Sequence, residues 1–146
     1  MEDEQMRIFA RALLLSGGAS PEESKRRLAE ANPGSVVLAA KALLAQNERF
    51  VELLAAQTLQ AESSGAMLAN RREMDLLLRL AGTTQIARAI RDAGAVQGER
   101  FVLVVAGRRP VKLPSTLDGE KLRRRGLTDF ELEKVEKAAL LNARRT

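Results

Sequence analysis

The stretch Asn70-Arg71-Arg72-Glu73-Met74-Asp75-Leu76-Leu77-Leu78-Arg79-Leu80-Ala81-Gly82-Thr83-Thr84-Gln85-Ile86-Ala87-Arg88-Ala89-Ile90 reads as two short helices separated by a polar Gly-Thr-Thr-Gln step. Asn70 with Glu73 three positions on has the form of a capping box, and Gly82 supplies the left-handed residue that ends a helix. The second helix is expected to restart at Thr83 or Thr84 and to close at Gly94, with Ile86 and Ile90 on its apolar face.

The same local signals extend outward in both directions. Arg7 to Leu15 is a short apolar run halted by Gly17-Gly18, which predicts a first strand. Ser20-Pro21-Glu22-Glu23 combines an N-cap, a proline at the first helical position and early acidic residues, so a helix is expected from Pro21 to Ala31. Ser35 to Leu44 begins with β-branched residues and is read as a second strand, although its alanines and leucines also suit a helix. Asn47 is placed to cap the next helix, on which Phe50, Val51, Leu54, Thr58 and Leu59 recur at helical spacing and face inward. Residues 61–69 are read as a small, polar connection.

Arg100 to Ala106 carries the clearest strand signal, apolar on both faces and closed by Gly107. Arg108 to Pro114 cannot be a central strand, because each proline removes a ladder donor. Thr128 and Glu131 form a second capping box, Leu127 and Leu132 a hydrophobic staple, and a last helix is expected to reach about Ala143. Leu132, Val135, Ala139 and Leu140 make a stripe on that helix, expected to pack onto the sheet. Together these elements predict an α/β fold, a single-domain sandwich over 1–146 with a three- to four-stranded sheet covered by about five helices on at least one face. A chain of 146 residues, 45% of them hydrophobic, is enough for one core and not for two.

Composition narrows the chemistry. The chain has neither cysteine nor histidine, which removes disulfides, thiolate nucleophiles, imidazole bases and the commonest metal ligands. No metal site, cofactor or small-molecule substrate is expected. Glu73 and Asp75 lie two apart on a helix and point in different directions, while Gly17-Gly18 lacks the Gly-Lys-Ser/Thr ending of a phosphate-binding loop. No convergent acid–base set remains, so the chain is read as non-catalytic. There is no apolar run long enough to span a bilayer, and Met1-Glu2-Asp3-Glu4 lacks the basic start of a signal peptide, so a cytoplasmic protein is expected.

The net charge of +5 is uneven: residues 1–107 hold 13 basic and 13 acidic side chains, and residues 108–146 hold 11 and 6. A basic segment concentrates anions and makes nucleic acid a natural partner, although such a segment also serves as a plain solvated face. Arginine, 18 of the 24 cations, suits phosphate by its planar fork.

The order of strand, helix, strand and long helix, then Met74-Asp75-Leu76-Leu77-Leu78-Arg79-Leu80-Ala81-Gly82, the Thr-Gln-Ile step, the Ala89-Ile90 helix ending at Gly94 and the strand Phe101 to Val105, resembles a known family. It is similar to the small, kinase-binding regulatory subunit of the archaeal and eukaryotic KEOPS complex. The resemblance implies a non-catalytic subunit of the machine that places a threonylcarbamoyl group on the adenosine beside the anticodon of certain tRNAs. It implies two partners, the atypical kinase-like subunit, bound through an apolar helical surface, and the single-stranded 3′ CCA end of tRNA. Family members usually carry arginine where this chain has Thr84. The candidate tRNA contacts are the polar step, Thr83, Thr84 and Gln85, with Asn70, Arg72, Arg79 and Arg88 around it. Hydroxyls, an amide and a helix N-terminus can bond phosphate, ribose or base edges, and they also make an ordinary cap. A protein scaffold without RNA affinity is the alternative. Only four aromatic residues, Phe9, Phe50, Phe101 and Phe130, are present to stack on bases, and the first three are expected to be buried.

Overall fold

A strand that is apolar on both faces has to be covered on both, and Phe101–Gly107 (β3) is buried at all seven positions. In the computed structural model, which describes residues 7–142, β3 lies between Phe9–Leu15 (β1) and Val36–Lys41 (β2), and Gly119–Lys121 (β4) pairs with the outer edge of β1. The sheet runs β2-β3-β1-β4 with every pairing antiparallel. β1 and β2 are therefore parallel to each other and split by β3.

The pleat sends alternate side chains to opposite faces. Phe101, Leu103 and Val105 join Leu13, Leu15, Val37 and Ala39 on one face, where Leu28 of Pro21–Ala31 (α1) and Leu117 cover them. Val102, Val104 and Ala106 join Ala10, Ala12, Val36, Leu38 and Ala40 on the other. That face is covered by Glu48–Ser64 (α2), Arg72–Ala81 (α3) and Ile86–Ala93 (α4), through Phe50, Val51, Leu54, Leu76, Leu80 and Ala89. Asp129–Ala139 (α5) lies outermost, against α2 and α3.

The caps that punctuate the sequence form where short-range chemistry requires them. Ser20 Oγ accepts the Glu23 N–H at 3.1 Å, and Asn32 closes α1 while its amide donates to Leu28 O at 2.9 Å and Lys112 O at 2.8 Å. Asn32 also accepts the Lys112 N–H at 2.7 Å, so one buried side chain ends the helix and anchors the segment that covers the sheet. Asn47 is fully buried at the start of α2, accepts the N–H groups of Arg49 and Arg125, and donates to Arg125 O and Glu131 Oε1. Glu48 follows with a buried carboxylate that accepts the Ala12 N–H at 2.9 Å, a strand donor that β4 is too short to pair. The Thr128–Glu131 capping box is complete.

Several expectations are corrected. The second strand stops at Lys41, opposite Phe101, and Ala42–Leu44 curls into a 3-10 turn because β3 offers no partner beyond that register. Helix α2 continues through Ser64, where Gly65 takes a left-handed conformation, so the polar connection is shorter than expected. On α5 the buried positions are Glu131 and Ala138, while Leu132 and Leu140 are exposed and the helix packs on other helices instead of the sheet. Of the aromatics, Phe50 and Phe101 are buried, and Phe9 is half-buried. Ala143, the expected end of the last helix, lies outside the described residues.

The free edge of β2 is bridged once, by Gly94 opposite Ala40, and Lys41 Nζ donates to Arg91 O at 2.8 Å. No helix among the described residues is long and apolar enough to cross a membrane.

Leu103 is completely buried at the centre of the sheet. Leu103→Ala is expected to cost roughly 2–5 kcal/mol in urea unfolding, since both neighbouring strands prevent the cavity from closing. Glu131 supplies a pH test. Burial pushes its pKa up, but hydrogen bonds from the Thr128 N–H, Asn47 and Arg125 outweigh that and hold it below its ordinary value. The anion therefore stabilises the fold fully above pH 4.5, its ordinary value, and the contribution is lost as the pH falls through the lower, folded-state value. Urea midpoints of the wild type and Glu131→Gln, measured from pH 7 to 3, should converge at the acid end.

Candidate nucleic-acid interface

Helix α3 ends at Gly82, which adopts φ 74° and returns its N–H to Leu78 O at 2.8 Å. The Thr83 N–H reaches the same carbonyl at 3.2 Å, and Thr83 Oγ1 accepts the Gln85 N–H at 3.1 Å. These bonds hold residues 83–85 as a connector, so α4 starts at Ile86, later than the expected Thr83 or Thr84. Gln85 occupies the N-cap position without a side-chain cap bond and is exposed to solvent, as is Arg88. Thr83 and Thr84 are half-buried.

A cleft of about 290 Å³ opens beside this connector, lined by Gly82, Thr83, Thr84, Arg88, Lys137 and Leu141. Lys137 comes from α5, and its ammonium lies so near Gly82 that an added Cβ would contact Nζ at 3.4 Å. Two hydroxyls and two cations therefore face one space. Arg88 is only loosely engaged, 3.5 Å from Asp92 Oδ2 on its own helix. Burial, and then the charge of Lys137, push the pKa of Lys134 below its ordinary value, so the two lysines add to one positive field. Lys137 was not among the sequence candidates. It is far from the connector in the chain, and the only trace of it was the basic excess after residue 107.

The other candidates part company. Arg79 is withdrawn from the surface expected of it: its side chain is only 3% exposed and is paired with the fully buried Asp75 at 2.7 Å. Asp75 also accepts the Thr58 hydroxyl and the Leu68 N–H, while Arg79 donates to Gln57 Oε1, Ala138 O and Asn142 Oδ1. The pair lies inside the helical layer and ties α3 to α2 and to the end of α5. Asn70 does not cap α3. The N-cap is Arg71, which has no side-chain bond, because the reach of Asp75 back to Leu68 sets where the chain enters the helix. Arg72 donates to Gly34 O at 2.8 Å and faces Glu62 at 3.6 Å in a separate cleft with Arg109. Asn70 and Arg72 thus sit at the opposite end of α3 from the connector, about 15 Å along the helix at 1.5 Å per residue.

The apolar face of α4 is also reversed from expectation. Ala89 and Ala93 are buried against the core, while Ile86 and Ile90 are 49% and 52% exposed. The small residues allow α4 to approach α3 and β2 closely, and the larger ones remain for something else to cover.

No protein-family model and no curated protein matches this chain.

The buried pair yields a clear expectation. Arg79→Met leaves Asp75 as an uncompensated buried charge and should cost roughly 3–5 kcal/mol in denaturant unfolding. A loss below about 1 kcal/mol, the range of exposed pairs, would mean that the arginine is not structural.

Proposed function

We propose that the chain is a non-catalytic accessory subunit of a KEOPS-type complex, holding the single-stranded 3′ end of tRNA while docking on a kinase-like subunit. The observation that carries this reading is the convergence of Thr83, Thr84, Arg88 and Lys137 on one cleft. Cations there would neutralise phosphate, and the hydroxyls would bond ribose or base edges, which suits a flexible strand better than a duplex groove. Gln85 stands exposed at the rim and adds an amide that both donates and accepts. Aromatic stacking contributes little to this reading, since Phe130 alone among the four is strongly exposed and its ring already carries Lys134. The subunit works in the cytoplasm in this reading, and it needs no cofactor or small-molecule substrate.

The kinase-like partner would cover Ile86 and Ile90, which project from the helix that starts at the connector. Those two side chains equally favour the second reading, a protein scaffold without RNA affinity.

Gel-shift titration of intact tRNA against the same tRNA trimmed of its CCA end separates the two. Binding should fall on trimming and weaken steeply with salt. Thr84→Glu and Lys137→Glu should each lower affinity by roughly tenfold, the equivalent of about 1.4 kcal/mol, without changing the unfolding midpoint. Equal, weak binding to both tRNAs would favour the scaffold.

A further inference from the structure

β2 is an edge strand, and part of that edge is open. The Leu122 N–H donates to Ala12 O at 3.1 Å, so Ala12 turns its backbone groups away from β3. Successive residues of an antiparallel ladder point alternately toward and away from a partner, so Val104, opposite Ala12, bonds Leu38 on its other side. Val37 and Ala39 therefore direct their N–H and C=O groups out of the sheet. Gly94, opposite Ala40, sets its neighbours against the Ala39 carbonyl and the Lys41 N–H. The Val37 N–H, the Val37 carbonyl and the Ala39 N–H have no partner among the described residues, although Val37 is only 3% exposed and Ala39 8%. Backbone groups so withdrawn from water are nearly always paired.

A cleft of about 620 Å³ opens onto this edge at Leu38 and Ala39. Pro21, Glu22 and Lys25 of α1 line one side, and Met74 and Leu77 of α3 with the exposed Ile90 of α4 line the other. Leu38 points to the second side, because it belongs to the sheet face that α3 and α4 cover. Charges at the rim offset one another: Glu22 faces Lys25 at 3.9 Å, and Arg71 lies beside Glu73. An uncharged, aliphatic side chain suits such a space.

We propose that this edge binds an extended peptide segment of another protein as a short parallel fifth strand, with one aliphatic side chain anchored beside Leu38 between Met74, Leu77 and Ile90. In a parallel pairing, the residue opposite Leu38 donates its N–H to Val37 O and accepts the Ala39 N–H, while the residue two before it accepts the Val37 N–H. All three open groups are met, and the anchor points to the same face as Leu38. An antiparallel strand would serve Val37 alone, because Ala95, next to the Gly94 bridge, stands where it would continue to Ala39. For the same reason the bound segment ends or turns outward just past its anchor. A second copy of the chain has no strand to give: its β4 is three residues long, and its β2 is recessed between the same walls. Main-chain bonds supply affinity in this mode of recognition, and the side-chain pocket supplies specificity. Recognition here does not depend on tRNA binding, and it shares only Ile90 with the surface assigned above to the kinase-like subunit.

Selection of random octapeptides displayed on phage against the full chain, followed by calorimetry of the selected peptides, tests this. The peptides should share one aliphatic position and saturate one site per chain. N-methylation of the anchor residue, which removes the N–H owed to Val37 O, should weaken binding by about tenfold or more. Met74→Glu and Ile90→Glu should do the same with the unfolding midpoint unchanged, whereas Ile86→Glu and Thr84→Glu should leave it intact. In the free chain the Val37 and Ala39 amides should exchange with solvent deuterium faster than those of Leu38 and Ala40, and the peptide should slow them. Failure of every selected peptide to saturate the chain would overturn the proposal. So would full affinity of the N-methylated peptide, which marks a side-chain pocket without strand pairing, or self-association of the chain that is lost in the same variants, which assigns the edge to a second copy.

Discussion

The constraint on which the architecture depends is the absence of a polar face on β3. A strand buried at every position needs apolar cover above and below, and the chain meets that need unequally. One short helix and the segment around Leu117 suffice on one side, while four helices stack on the other. The thick side has a second consequence, because α5 lies beyond reach of the sheet and must be held by helices alone. Apolar contact there is modest, and polar links supply what the sheet cannot.

Those links occur at both ends of α5. At its start, Asn47 and Arg125 converge on Glu131, so the first turns of α2 and α5 share one hydrogen-bonded junction. At its end, Arg79 donates to Ala138 O in the last turn of the helix. Buried charge of this kind adds little net stability compared with apolar packing, but here it is selective for one arrangement, since another docking of α2 or α5 removes the bond from Thr58 to Asp75 or those from Arg79 to Gln57 and Ala138. The position of Lys137 beside Gly82 follows from that arrangement. The connector cleft thus borrows its geometry from the junction at the end of α5.

What the sequence made legible was local. Ser20-Pro21 marks the start of α1 to the residue, Asn47 marks that of α2, Gly82 ends α3, and the uninterrupted apolar run of β3 announces a central strand, because each signal is complete within a few residues. What it obscured was the competition between partners distant in the chain. Arg79 resembles any surface arginine in a helix until Asp75, Gln57 and Ala138 surround it. Ile86 and Ile90 have the spacing of a core face, but α4 lies where only Ala89 and Ala93 fit, and small residues win the close approach. Lys137 entered the candidate cleft by tertiary packing alone, and the end of β2 was fixed by where its partner strand begins.

The sheet edges have a consequence for solubility at high concentration. An unpaired strand is a template for stacking one molecule on the next, and the two edges disarm this differently. β4 is three residues long and gives an incoming strand almost nothing to pair with. β2 is longer, but the Gly94 bridge at Ala40 and the Lys41–Arg91 bond seal its far end. A strand pairing along that end of β2 would first have to peel α4 away, so the protection of this edge is tied to the docking of one eight-residue helix.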